Sequence, residues 1–150
     1  MKYKMLIKKI LLDTDVLLDF FFDRKPYSDY SAIILDLCAR KILDGYITPV
    51  IISNIYYLLR KTAKHEKVIE KLKQLLTITK VLQMDKSVVE KALNSEFNDF
   101  EDALQNFSAA NYGKIEAIIT RNVKDYRKSE IGVLPPDDFV KLINANSDIK

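Results

Sequence analysis

Short apolar runs alternate with longer stretches of helical spacing along the whole chain, a pattern that predicts a parallel sheet covered by helices on both faces. Ile10-Leu11-Leu12 reads as a first buried strand, and Val16 to Phe22 turn to helical spacing until Pro26 interrupts them. Ser28 can cap a second helix over Asp29 to Leu43, with Ile33, Ile34, Leu37 and Cys38 as its apolar stripe and Gly45 ending it. Tyr46-Ile47-Thr48 reads as a second strand, and Pro49 opens a third helix that carries Ser53 and Asn54 on to Arg60.

The second half repeats the alternation. An amphipathic helix is predicted over Glu66 to Leu76, a strand over Thr79 to Gln83, and two helices over Asp85 to Asn94 and Asp99 to Asn111. On the last of these, Phe100, Leu104 and Phe107, with Ala103 beside them, form an apolar stripe expected to dock on the sheet. Glu116 to Thr120 is the clearest late strand, Arg121 to Lys128 follows as a loop, and Ile131 to Leu134 reads as an edge strand. Pro135-Pro136 then precede a final helix over Asp137 to Asn144. With 150 residues, no internal repeat and no linker composition, residues 1–150 are expected to form one domain.

Composition narrows the class. A 48% hydrophobic and 30% charged chain has the balance of a globular protein. The single cysteine, Cys38, excludes an internal disulfide and a thiolate zinc cluster and reads as helix packing. The lysines near the start lack the long apolar core and cleavage site of a leader, and no segment is long enough to span a bilayer, so a cytoplasmic protein is expected. Only three glycines are present and none cluster, which excludes the glycine-rich phosphate loops of nucleotide-binding folds.

The net charge of +3 conceals an asymmetry. Residues 60–80 carry Arg60 and six lysines against Glu66 and Glu70, whereas residues 85–102 carry six carboxylates against Lys86 and Lys91. A basic flank beside an acidic pocket would attract phosphates toward bound cations, although a basic helix face can equally be plain solvated surface.

The acidic residues carry the chemistry. Asp13 stands where the first strand should stop, the place where ligands bind in open α/β sheets. Asp99 and Asp102 are spaced to share one helical face a turn apart. Thr120, Arg121, Asn122 and Asp125 follow the late strand, whose carboxyl end shares a rim with Asp13 if the strands are parallel. Convergent carboxylates of this kind suit Mg²⁺ or Mn²⁺, hard ions that take oxygen ligands and keep several waters. Such an ion polarises a phosphodiester and acidifies an attacking water. Singly, Asp13, Asp15 and Asp99 also read as helix caps, Asp125 as a loop carboxylate, and Glu101 as solvent-facing. Arg121 could neutralise a phosphate, and Ser53 and Thr120 could hold a ligand carboxylate or a water. His65 pairs with no nucleophile, and Tyr56-Tyr57 and Phe20-Phe21-Phe22 could stack bases or pack a core or dimer interface.

Three segments, Asp13-Thr-Asp-Val-Leu-Leu-Asp19, Asp99-Phe-Glu-Asp102-Ala-Leu-Gln and Thr120-Arg-Asn-Val-Lys-Asp125-Tyr, together resemble the PIN domain, including bacterial members similar to VapC-type toxins. The resemblance spans nearly the whole chain in order and spacing. It implies a three-layer α/β/α sandwich with a central, mainly parallel sheet, and Mg²⁺- or Mn²⁺-dependent cleavage of RNA. For toxin members it also implies a cognate antitoxin and a homodimer. By the same resemblance Asp13 and Asp102 take the first and third acidic positions, Asn54 stands at the second and Asn122 at the fourth, with Asp125 nearby. Asp13, Asp102, Asn122 and Asp125 would then hold the metal, Asp99 would shape the site, and Asn54 would orient water or substrate. Two amides supply no negative charge, which shifts the electrostatic load onto Asp99 and Asp125. The opening Asp13-Thr-Asp15 also matches the phosphatase motif of haloacid dehalogenase-like enzymes, but the glycine that follows it there is absent, and Asp137-Asp138 sit behind two prolines.

Overall fold

Strand β1 (Lys9–Leu12) carries Ile10, Leu11 and Leu12 in succession, all fully buried, as a strand covered on both faces requires. The computed structural model describes residues 7–146; Lys2 and Lys4 of the amino-terminal lysine cluster lie outside them. β1 is the centre of a five-stranded sheet with β2 (Asp44–Ile47), β3 (Thr79–Val81), β4 (Ala117–Ile119) and β5 (Gly132–Leu134). The order is β3-β2-β1-β4-β5, and every neighbouring pair is parallel. Leu11 stands in register with Tyr46 on one side and Ile118 on the other.

Among the described residues seven helices flank these strands: α1 (Thr14–Phe21), α2 (Tyr27–Ala39), α3 (Pro49–Leu59), α4 (His65–Ile78), α5 (Lys86–Leu93), α6 (Phe100–Tyr112) and, after β5, α7 (Pro136–Ala145). Adjacent residues of β2 show how they are divided between the faces. Gly45 lies against Cys38 of α2, whereas the Tyr46 hydroxyl meets that of Tyr112 at the end of α6 (2.9 Å). Successive strand residues point to opposite faces, so α2 and α6 cover opposite sides of the sheet. The expected three-layer α/β/α sandwich is what forms.

Several expected boundaries move, each for a local reason. α2 ends at Ala39 rather than Leu43, because Lys41 (φ 60°) reverses the chain and frees Leu43 to pack in the core. Gly45 is a strand residue and not the end of that helix. Ser28 lies inside α2 and donates from its hydroxyl to Asp23 (2.8 Å). The apolar stripe of α6 is also redirected. Ala103 and Leu104 close with Val88 and Ala92 of α5 into a second small core, and Phe100 is 47% exposed. The residues 121–128 contain a 3-10 turn, Val123–Tyr126. Among the described residues no helix is long and apolar enough to cross a membrane.

The topology sets the place of any site. The chain runs outward from β1 to β2 and β3, then returns to add β4 and β5 on the other side of β1. The direction of winding reverses between β1 and β4, and a crevice opens beyond the carboxyl ends of strands at such a switch point.

The contact at Gly45 yields a stability test. A Cβ there would lie 2.7 Å from the Cys38 Sγ and 3.4 Å from Leu12. Gly45→Ala is expected to cost roughly 1–3 kcal/mol as overpacking, and Cys38→Ala in the same chain to recover part of that loss. Urea midpoints of the single and double variants measure both.

Candidate active site

Asp13 is the residue immediately after β1, and its backbone N–H continues the ladder to Ile119 of β4 (3.0 Å). Its carboxylate is 6% exposed and committed on both sides. Oδ1 accepts from the Thr14 N–H, capping α1, and Oδ2 accepts from the Thr120 hydroxyl, both at 2.9 Å. Capping and site membership are therefore the same placement, because the strand that delivers Asp13 to the crevice is followed directly by a helix.

Thr120 is fully buried at the end of β4 and works as a hub. Its hydroxyl also reaches Asp15 Oδ2 (3.4 Å) and accepts from the Asn122 N–H (3.0 Å), while the Arg121 N–H donates to the same Asp15 oxygen (3.0 Å). The other Asp15 oxygen, Oδ1, is buried without a partner. Thr120 thus holds acidic residues of the site itself.

From the other side, Asp99 caps α6 by accepting from the Asp102 N–H (2.9 Å), which fixes the first turn of that helix beside Asp13. Below it, buried Gln105 accepts from the Thr48 hydroxyl, and Thr48 in turn caps α3. Tyr126 closes the floor, buried beside Asp13 and Asp102 with a hydroxyl that has no settled partner.

These groups surround a cleft of about 540 Å³ lined by Asp13, Asp15, Asp99, Asp102, Asp125, Asn122, Asn54 and Glu101, among others. Asp99, Asp125 and Asn122 sit exposed at its rim, Asp102 is half-buried, and Asp13 lies at its base. A larger cavity of about 720 Å³ lies beside α5 and α6, but its one carboxylate, Asp85, is spent capping α5.

The carboxylates of the cleft sense one another. Burial, then the charges of Asp13, Asp99 and Asp125, push Asp102 up to about 7. Burial and the Asp13 charge push Asp15 up to about 6, and burial raises Asp13 as well. Among the described residues no three carboxylates close into a ready cage for an ion. An orphaned buried oxygen on Asp15, spread acidic oxygens and two amides nevertheless fit a hard divalent cation that keeps much of its water. Asp13, Asp102, Asn122 and Asp125 all line this cleft.

Two expected roles change. Arg121 is not available for a phosphate: its guanidinium makes a two-point bond to fully buried Asp19 (Nε 2.7 Å, Nη2 3.0 Å) and stacks on Tyr27 at 4.1 Å. Ser53 is exposed and does not line the cleft, because it lies on a different face of α3 from Asn54. Asn54 does line it, and its amide donates to Glu101 (2.8 Å), which is exposed as expected and also lines the cleft. Of the basic segment only Lys61 reaches the cleft, and His65 is exposed and bonded to the Tyr56 hydroxyl (2.8 Å).

Gln105 and Tyr126 are site residues that the acidic pattern of the sequence does not single out. Each still leaves a signal there: a glutamine inside an apolar helical stripe, and a tyrosine directly after a candidate ligand.

The raised carboxylates and the buried ion pair each lead to a measurement. Asp102, Asp15 and Asp13 have folded-state values above those of the unfolded chain, so between these values the folded protein holds protons that the unfolded chain has released. Their contribution to stability is complete below about pH 4 and is lost as the pH rises through about 6 to 7. The thermal midpoint of the metal-free protein should therefore fall from about pH 5 to about pH 8, and Asp102→Asn should flatten that slope and raise the midpoint at the upper end. Separately, Arg121→Met leaves Asp19 buried with only Arg24 near it, at 3.6 Å. A loss of about 3–5 kcal/mol is expected, with Asp19→Leu in the same chain restoring much of it in denaturant titrations.

The PIN domain family profile matches residues 9–124. Ribonuclease VapC1 of Aquifex aeolicus is 28% identical over 143 residues, covering 92% of this chain and 97% of its own length. The fold superposes on a toxin-antitoxin complex from Klebsiella pneumoniae with a TM-score of 0.64 at 20% identity, over 85% of this chain and 98% of the other. It also superposes on VapBC2 from Rickettsia felis, solved bound to a promoter DNA fragment, with a TM-score of 0.65 at 17% identity, over 84% and 97%.

Proposed function

The chain belongs to the PIN domain family, and on that premise we propose that it is an endoribonuclease dependent on Mg²⁺ or Mn²⁺ and the toxin of a toxin-antitoxin pair. One observation carries this reading above the others. Six carboxylates from three distant parts of the chain meet Asn122 and Asn54 in one cleft at the switch point, where burial and the neighbouring charges push Asp102 up to about 7. A structure that only needed to fold would separate those charges.

Asp13, Asp102, Asn122 and Asp125 would hold the cation, and Asp99 shapes the rim while fixing the first turn of α6. When bound, a divalent ion supplies positive charge that polarises the phosphodiester and lowers the pKa of water. The rest belongs to the chain. Thr120 holds the Asp13 carboxylate in place, the Arg121 N–H holds Asp15, and the Gln105–Thr48 pair ties α6 to α3 so that the two walls keep their spacing. Asn54 presents Glu101 to the cleft, which offsets the amide on α3 and favours a hydrolytic site over a binding-only PIN fold. The similarity to toxin-antitoxin assemblies supports an antitoxin partner, and exposed Phe20, Tyr27 and Ile33 on α1 and α2 offer a face for a homodimer.

The test pairs ion binding with cleavage. Calorimetric titration of Mn²⁺ and Mg²⁺, and assay of the same samples on a mixed RNA pool, should show binding and cleavage in the natural chain. Asp13→Asn, which can still cap α1, and Asp102→Asn should both lower cleavage by at least about 100-fold and weaken ion binding. Absence of both activities in the natural chain at millimolar metal would overturn the proposal.

A further inference from the structure

The wall that α3 contributes to the cleft is not acidic. Asn54, Tyr57 and Leu58 line it from one face of α3, at the i, i+3, i+4 spacing, and Lys61 lines it just beyond the helix, which ends at Leu59. On that face Tyr57 is 68% exposed, the most exposed of the large apolar or aromatic side chains described. Its helix neighbours Ile55 and Leu59 are buried and hold α3 to the core. The ring meets Tyr56 nearly at right angles, with centroids 5.4 Å apart, and Tyr56 is itself tethered to His65. Tyr57 is therefore braced from one side, and among the described residues no ring stacks parallel to it.

Lys61 follows in the turn just past the end of α3 and is exposed. Among the described residues no carboxylate pairs with it, although the cleft is rich in carboxylates. Arg24, 45% exposed by its side chain, lines the same cleft. An aromatic plane followed by an unpaired ammonium, leading out of an acidic cleft, matches a nucleotide strand leaving a cation site: a base for the ring and a phosphate for the lysine.

We propose that Tyr57 and Lys61 form a nucleotide subsite of this cleft, the ring stacking a base next to the cleaved linkage and the ammonium holding the adjoining phosphate, with a single-stranded stretch of RNA as the occupant. This rests on the ribonuclease reading. It deepens that reading by selecting the substrate's conformation, because bases in an A-form duplex stack on one another and cannot offer a face to a side chain.

The experiment uses the Asp102→Asn protein in Mg²⁺, with a fluorescent single-stranded RNA oligonucleotide and the same strand annealed to its complement, read by anisotropy. Tyr57→Ala in that background should weaken single-strand binding roughly 5- to 150-fold, Tyr57→Phe should preserve it, and neither should change duplex binding. Lys61→Ala should make the logarithmic salt dependence shallower by about 0.7. Cleavage of the same oligonucleotides by the natural chain is measured in parallel. If that chain cleaves RNA while Tyr57→Ala binds the single strand as tightly as its parent, the subsite is wrong and the ribonuclease reading survives; the ring then faces a protein partner or solvent. If the duplex is cleaved as fast as the single strand, the inference also falls. If the natural chain neither binds nor cleaves, the ribonuclease reading fails first and takes this one with it.

Discussion

The hydrogen bond from the Thr120 hydroxyl to Asp13 joins residues 107 positions apart at the ends of two neighbouring parallel strands. Everything else in the cleft depends on that meeting. A buried carboxylate is costly to desolvate, and here the cost is offset by the Thr14 N–H on one oxygen and Thr120 on the other. Remove the parallel pairing of β1 and β4, and Asp13 would be an ordinary helix cap facing water. With it, the cap is turned into the crevice and becomes one wall of a charged site.

The site works against the stability of the fold that holds it. Asp13, Asp15 and Asp102 are pushed upward by burial first and then by neighbouring carboxylates, so the protein carries an unfavourable concentration of like charge near neutral pH. A cation placed among these groups would convert repulsion into attraction, and ligand binding of that kind stabilises the folded state by mass action. The strain is confined by uncharged supports, Gln105 with Thr48 and the Asn122 N–H with Thr120, which fix the backbone without adding charge.

A second acidic residue of the opening motif has a separate task. Asp19 is fully buried and answered by Arg121, whose planar guanidinium makes two bonds to it and rests on Tyr27. This pair locks α1 to the segment following β4, so the loop bearing Asn122 and Asp125 is held against the helix that Asp13 caps. Arg121 thereby positions that loop. The same-looking charges in the motif thus differ by their partners: a guanidinium answers Asp19, whereas Asp13 is held by the uncharged Thr14 N–H and Thr120 hydroxyl.

Much of this is legible in the order of residues. Apolar runs of three or four followed by helical spacing specify buried parallel strands with covering helices, because burial on both faces demands unbroken hydrophobic segments. The spacing of Asp13, Asp99, Asp102, Asp125 and Asn122 relative to those elements is enough to put them at strand and helix ends. The division of labour is not legible. Arg121 looks like a phosphate ligand until Asp19, 102 positions away, is found beneath it. The bond between Asn54 and exposed Glu101 joins residues 47 positions apart, and Gly45 looks like a helix stop until Cys38 is found pressed against it. Local periodicity determines which face of an element is apolar; which partner meets that face, and which charge answers which, is decided by contacts between residues far apart in the chain, and only packing brings those together.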